Sequence, residues 1–163
     1  MSGLSPDGQA ALNVCKKLLD SLKSLNLEGR AQFVSTLAPG GQVCHARTSL
    51  GPSVKPQQRI TYEKNQEEFA NRIPWESKTD TYEEGIDDGP GGRQVVVLVD
   101  HDIAMVWTPY WVRHNGRLQS IGTNCFTLVK HLKDGLGPDG EWLVVGMTDT
   151  GRPLTEEDRK RLE

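Results

Sequence analysis

VVVLVDHDIAMVWTPYWVRHNGRLQSIGTNCFTLVKH, residues 95–131, decides the fold, together with EWLVVGMTDT at 141–150. Runs rich in Val, Ile, Thr and aromatic residues alternate there with turn chemistry, the pattern of an antiparallel meander. Asn115-Gly116 is the strongest of these turns, because a two-residue hairpin loop wants positive φ at both positions. Asp100-His101 reads as a second turn. A two-residue loop at 115–116 sets His114 opposite Arg117, Trp111 opposite Ser120, Trp107 opposite Asn124 and Met105 opposite Phe126. The same count through Asp100-His101 sets Leu98 against Ile103 and Val96 against Met105.

Side chains alternate between the two faces of a strand, so this register sorts them. One face gathers Val96, Leu98, Ile103, Met105, Trp107, Phe126 and Leu128. Leu143, Val145 and Met147 join it if Lys130 lies near Glu141. Ser120, Asn124 and Asp149 are its polar members. The other face carries Ala104, Val106, Thr108, Tyr110, Thr123, Cys125, Thr127, Val129 and Val144. Neither face is charged, so both should be covered. Helices suit the first face, and a second copy of the chain suits the other. Pro109 cannot donate to a strand ladder, and a bulge there would exchange the faces beyond it.

Upstream, Ser5-Pro6-Asp7 reads as a helix start, and Leu12, Cys15, Leu18, Leu19, Leu22 and Leu25 follow at helical spacing. Asn26 can cap a second helix with Leu27, Ala31, Val34 and Leu37 inward, ended by Ala38-Pro39-Gly40-Gly41. QVCHAR (42–47) reads as a strand and residues 48–59 as a loop. Thr61 can cap a third helix running to Ile73, which Pro74-Trp75 stops. Residues 79–86 read as a strand leading into the meander, and GIDDGPGGR as a loop. Helices followed by a bent antiparallel sheet give an α+β fold: one domain over residues 1–152, with a charged tail, helical in pattern, over 153–163. The open end of such a sheet is a common place for a ligand.

The chain has 163 residues, 25% of them charged and 36% hydrophobic, with a net charge of -3. That balance excludes a disordered or membrane-embedded chain, and the lack of a basic stripe argues against nucleic acid as a partner. No stretch reads as a signal peptide or a membrane span. Cys15, Cys44 and Cys125 are odd in number and far apart, which fits buried thiols in a reducing, cytoplasmic setting better than disulfides or thiolate zinc.

The order of these elements, with W-x-P-Y at 107–110, the N-G hairpin, G-T-x-x-F-T-L-V at 122–129 and the closing W-x-V-x-G strand at 142–146, resembles the nuclear-transport-factor-two-like superfamily. The nearest branch is the SnoaL-like or lumazine-binding-like proteins, and the resemblance spans roughly residues 8–152. It implies a curved sheet wrapped around N-terminal helices into a conical α+β barrel with a central cavity, and a homodimer through the outer sheet face. It also implies a range of roles, including dehydratases, isomerases, cyclases, epoxide hydrolases and non-catalytic binding or assembly proteins. Positions matching Ser120 and Asn124 often carry His and Asp in that branch, and this chain has neither there.

Candidate site residues follow from polar groups on apolar faces. Asp149 is either a general acid or base or an end-of-strand acid held by backbone. Asn124 either orients a substrate carbonyl or satisfies a buried backbone group. His45 either borders the cavity as an acid-base group or is an ordinary core or surface histidine. Trp75, Met105, Trp107, Tyr110, Phe126 and Met147 form a stripe that is either core or the lining of a pocket for a flat, hydrophobic ligand. The resulting expectation is a small hydrophobic molecule in a conical cavity, worked on without cofactor or metal by an isomerase, cyclase or dehydratase. The alternative is a non-catalytic ligand-binding or dimeric assembly module.

Overall fold

A computed structural model describes residues 3–48, 58–63, 65–132 and 140–163. Helix α1 (Pro6–Ser21) begins where Ser5 Oγ accepts from the Gly8 N–H at 3.1 Å, with Pro6 in the first turn. Its stripe of Leu12, Cys15, Leu18 and Leu19, continued by Leu22, is buried. Asn26 caps α2 (Leu27–Val34) through the Gly29 N–H at 2.8 Å. The inward residue of α2 is Phe33, 1% exposed, whereas Leu27 is 65% exposed, which corrects the face expected for this helix. The expected helix start at Thr61 is also corrected. Residues Gln58–Glu63 form strand β2, in keeping with the β-branched and aromatic Ile60, Thr61 and Tyr62. Helix α3 (Gln66–Arg72) starts only where Asn65 accepts from the Glu68 N–H.

Strand β1 (Leu37–Thr48) is longer than expected and swallows Pro39-Gly40-Gly41 as an irregularity in the ladder. The remaining strands are β3 (Tyr82–Ile86), β4 (Val96–Asp100), β5 (Ile103–His114), β6 (Arg117–Leu132) and β7 (Gly140–Pro153). They form one sheet in the order β2-β1-β7-β6-β5-β3, with β4 beside β5 at the end that β3 leaves open. All described pairings are antiparallel except β1 with β7, so the sheet is mixed. The helices lie on its inner face and close a core of Leu18, Phe33, Val106, Phe126, Leu128 and Val144. The result is the curved α+β cone expected from the sequence. The expected loop over 48–59 and the glycine-rich gap before Gly140 fall mostly outside the described residues.

The register differs from the simple count at two bulges. Arg113 pairs with Leu118 but Val112 pairs with Ser120, so Gln119 is an extra residue in β6. From there Trp107 lies opposite Cys125 and Met105 opposite Thr127, while Thr108 lies opposite Asn124 and Val106 opposite Phe126. One added residue therefore exchanges the faces of β5 relative to β6. Ala104, Val106, Thr108 and Tyr110 turn inward and are buried, and Leu98, Ile103, Met105 and Trp107 turn outward at 60%, 57%, 45% and 46% exposure. Pro109 pairs in register and marks no bulge. The turn at the other end is His101-Asp102, with Asp100 opposite Ile103. A second bulge leaves Val145 unpaired with β6, so Trp142 and Val144 replace Leu143 and Val145 on the inner face while Met147 and Asp149 stay there.

Helix α4 (Glu156–Leu162) opens on a reciprocal capping box between Thr155 and Asp158. It docks through Arg161, which grips the buried Asp87 with its two terminal guanidinium nitrogens, and through the Leu162 carbonyl, which accepts from Arg113 at 3.0 Å. Hydrogen bonding from Arg152, then from the Thr155 backbone and hydroxyl, outweighs burial and holds the Asp158 carboxyl well below the usual carboxylate range. A carboxyl depressed on folding contributes stability that is complete above its unfolded value of about 3.9 and is lost as pH falls through the folded value. Urea midpoints from pH 5 down to 2 should therefore fall for the wild type by more than for Asp158→Asn. Parallel curves would show that this cap contributes nothing to the acid limb.

Candidate functional site

Between the helices and the inner sheet face lies a cavity of about 470 Å3. Its apolar wall comes from Leu18 and Leu19 of α1, Leu22 at its C-cap, Phe33 of α2, Phe69 of α3 and Met147 of β7. These side chains are brought together because α1 and α2 present their buried stripes to the same hollow of the sheet. The mouth is marked by lining residues that also reach solvent, namely Leu25, Arg72, Ile73, Pro74, Asp80 and His114. His114 Nε2 lies 2.9 Å from Asp80 Oδ1. Hydrogen bonds from Ser77, then His114 and Thr79, hold the Asp80 carboxyl below its ordinary value.

The buried end is polar. Asn124 is 2% exposed, Asp149 5% and Glu84 9%, and all three line the cavity. Asn124 Nδ2 donates to Glu84 Oε1 at 2.6 Å. The strands explain the grouping: Asn124 stands opposite Asp149 in the β6–β7 ladder, and β3 brings Glu84 over from the edge of the sheet. Thr108, on β5, pairs with Asn124, and its hydroxyl is buried without a hydrogen-bond partner among the described residues. Two carboxyl groups and a carboxamide at the end of an apolar chamber can hold a proton, deliver it, and orient an oxygen of a bound molecule.

Of the residues singled out from the sequence, Asn124, Asp149 and Met147 line this cavity. His45 pairs with Asp149 in the parallel β1–β7 register, and its side chain lies outside the described atoms. Trp75 is buried beside the chamber instead of lining it: its indole N–H donates to the Ala70 carbonyl at 2.6 Å and its ring centroid is 5.7 Å from that of Phe33. Phe126 is wholly buried in the core, and the Tyr110 hydroxyl donates to the Thr150 carbonyl at 3.0 Å across Gly122. Met105 and Trp107 lie on the outer face, carried there by the Gln119 bulge. Sequence reasoning missed Glu84, Tyr82, Asp80 and His114. The alternation of Tyr82, Glu84 and Ile86 was the available signal, since it puts an acid in line with two hydrophobes on one side of a strand.

No family model matches the chain, and no curated protein matches it. Solved structures do. A nuclear-transport-factor-two-like protein of unknown function from Shewanella baltica is 11% identical, with 94% of this chain and 100% of that chain covered and a TM-score of 0.57. ActVI-ORFA from Streptomyces coelicolor is 13% identical over 90% and 98% of the two chains, with a TM-score of 0.59. The beta subunit of a putative aromatic-ring-hydroxylating dioxygenase from Novosphingobium aromaticivorans is 12% identical over 91% of each chain, with a TM-score of 0.62. Helices seated in a bent mixed sheet, a chamber between them and these full-length matches together establish that the chain has the nuclear-transport-factor-two-like fold.

Proposed function

We propose that the protein binds a small, largely apolar molecule in this cavity and acts on it by general acid-base chemistry, as an isomerase, cyclase or dehydratase without a cofactor. The observation that carries the reading is the Asn124–Glu84 hydrogen bond at the buried, Asp149-bearing end of an otherwise apolar chamber. A carboxylate, Glu84 or Asp149, takes a proton from the carbon next to a carbonyl and returns it elsewhere on the molecule. The second N–H of Asn124 Nδ2 serves the oxygen on which negative charge develops. His45, in register with Asp149, is the further candidate for relaying the proton. Free thiols at Cys15, Cys44 and Cys125 suit the reducing, cytoplasmic setting expected from the sequence.

The test begins with native mass spectrometry of freshly purified protein, to find a retained molecule and fix the substrate. On that substrate Glu84→Gln and Asp149→Asn should each lower kcat by about 10²- to 10⁴-fold, the usual contribution of a positioned acid or base. Unchanged turnover in both variants removes the catalytic reading.

A non-catalytic or assembly role is the second reading, and the outer face favours it. Val96, Leu98, Ile103, Met105 and Trp107 make a continuous exposed apolar surface across paired strands β4 and β5. Such a surface is suited to another protein surface, most simply the same face of a second copy. A similar fold occurs in the beta subunit of a putative aromatic-ring-hydroxylating dioxygenase, which is in keeping with an assembly role. Trp107→Glu should weaken self-association by about 10²-fold, the scale of a buried aromatic anchor, in sedimentation equilibrium. A wild-type protein that sediments as a monomer at high concentration would overturn the homodimer.

A further inference from the structure

Leu19 and Glu84 line two spaces. Besides the main cavity, they border a separate cleft of about 190 Å3 between α1 and β3. The rest of the cleft is formed by Lys16, Asp20 and Lys23 of α1 and by Gly85, Ile86 and Asp88 on the β3 side. Among the described residues, strand β3 ends the sheet and pairs with β5 alone, and no further strand closes the gap. Apart from the buried Glu84, the four charged residues around the cleft are exposed, and Lys23 is held at 2.8 Å by Asp20, which keeps its ammonium at the surface. The cleft is thus open and charged at its rim, while the cavity behind it is apolar over most of its wall. Among the described residues, Leu19 and Glu84 are the ones that border both.

This geometry bears on how a buried acid or base is reset. An apolar ligand seated in the chamber covers its mouth and excludes water from the buried end. A carboxyl that has given up or taken a proton then has to recover its starting state from solvent. Asn124 holds one oxygen of Glu84 on the cavity side, and the residue also borders the open cleft. We infer that the α1–β3 cleft is a second, water-filled route to Glu84, through which its carboxyl exchanges protons with solvent while an apolar ligand occupies the main chamber. The functional importance of this route rests on Glu84 acting as acid or base. The route itself is a matter of access and is tested without any substrate.

The experiment is thiol labelling with iodoacetamide, read by peptide mass spectrometry so that Cys15, Cys44 and Cys125 are counted separately. Glu84→Cys supplies a thiol on the shared wall, and Met147→Cys supplies one in the main cavity alone. Each is combined with Lys16→Trp, which fills the cleft, or with Ile73→Trp, which fills the mouth. Labelling of Glu84→Cys should fall at least about tenfold with Lys16→Trp and by less than about twofold with Ile73→Trp, because access limits thiol reaction. Met147→Cys should show the reverse. If labelling of Glu84→Cys follows Ile73→Trp and ignores Lys16→Trp, or does not occur, the second route is overturned while the cavity stands. If Met147→Cys also fails to react, the ligand chamber itself is closed and the proposed function goes with it. Should Glu84→Cys not fold, Leu19→Cys takes its place on the shared wall with the same expected pattern.

Discussion

Gly122→Ala is expected to destabilise the protein by about 3 kcal/mol or more, at the upper end of what overpacking a core costs. A Cβ at Gly122 would overlap the Thr150 carbonyl oxygen on β7 and come within 2.5 Å of the Tyr110 ring carbon and hydroxyl. The first obstacle is backbone, held by the β6–β7 ladder, in which Gly122 pairs with Gly151. The second is a ring only 3% exposed whose hydroxyl is tied to that same carbonyl. Neither can swing aside as a long surface side chain would. The Gly122 carbonyl also accepts from Arg93, which in turn reaches the buried Asp87 that anchors α4. A shift of β6 would therefore loosen the far end of the molecule as well. Thermal unfolding should show a loss of roughly 10 °C for a domain of this size. A drop of one or two degrees would mean that the sheet relaxes at this corner far more easily than the ladder implies.

Phe33→Ala should cost about 3–5 kcal/mol, the range for removing a buried aromatic ring. Phe33 is 1% exposed, with its ring centroid 6.2 Å from that of Phe69 and 5.7 Å from that of Trp75. It joins α2 to α3 and at the same time forms part of the cavity wall. Its removal therefore has two readouts. The urea midpoint should fall, and the enlarged chamber should admit ligands bulkier than those the wild type accepts. Phe33→Leu restores much of the lost volume and should recover most of the stability. If Phe33→Ala unfolded at the wild-type midpoint, α2 would have to be held by something other than this aromatic cluster.

Local chemistry was the legible part of the sequence. Asn115 and Gly116 have φ of 51° and 72°, as a hairpin of this type demands. Ser5 and Asn26 cap the helices their spacing announced. Most of the order of helices and strands followed from such signals, β2 excepted, and the cone followed from the family resemblance. The bulges did not, because an added residue such as Gln119 or Val145 is an ordinary polar or apolar letter in an ordinary strand. Their effect is nonetheless global, since each exchanges faces for everything beyond it. That is why Trp107 and Met105 turned outward, while Asn124 and Asp149 stayed inside. The parallel pairing of β1 with β7 and the reach of Glu84 to Asn124 across 40 residues of chain are long-range matters that no local pattern encodes. The acid on β3 carried a local hint in its alternation with Tyr82, but its partner was visible only in three dimensions.

The extra residue at Gln119 has a consequence for how this chain can change over generations. Both sides of β5 are written in apolar letters, Ala, Val, Thr and Tyr on one and Ile, Met and Trp on the other. Loss of one codon at Gln119 would slide the two strands by a single step, and the side bearing Met105 and Trp107 would then share a face with Asn124 and Phe126. Hydrophobicity alone would tolerate either arrangement; size and shape would differ completely. A descendant could thus acquire an unlike chamber with every wall residue spelled as before. Among such proteins, gaps in the hairpin between β5 and β6 would report a change of ligand more faithfully than substitutions would.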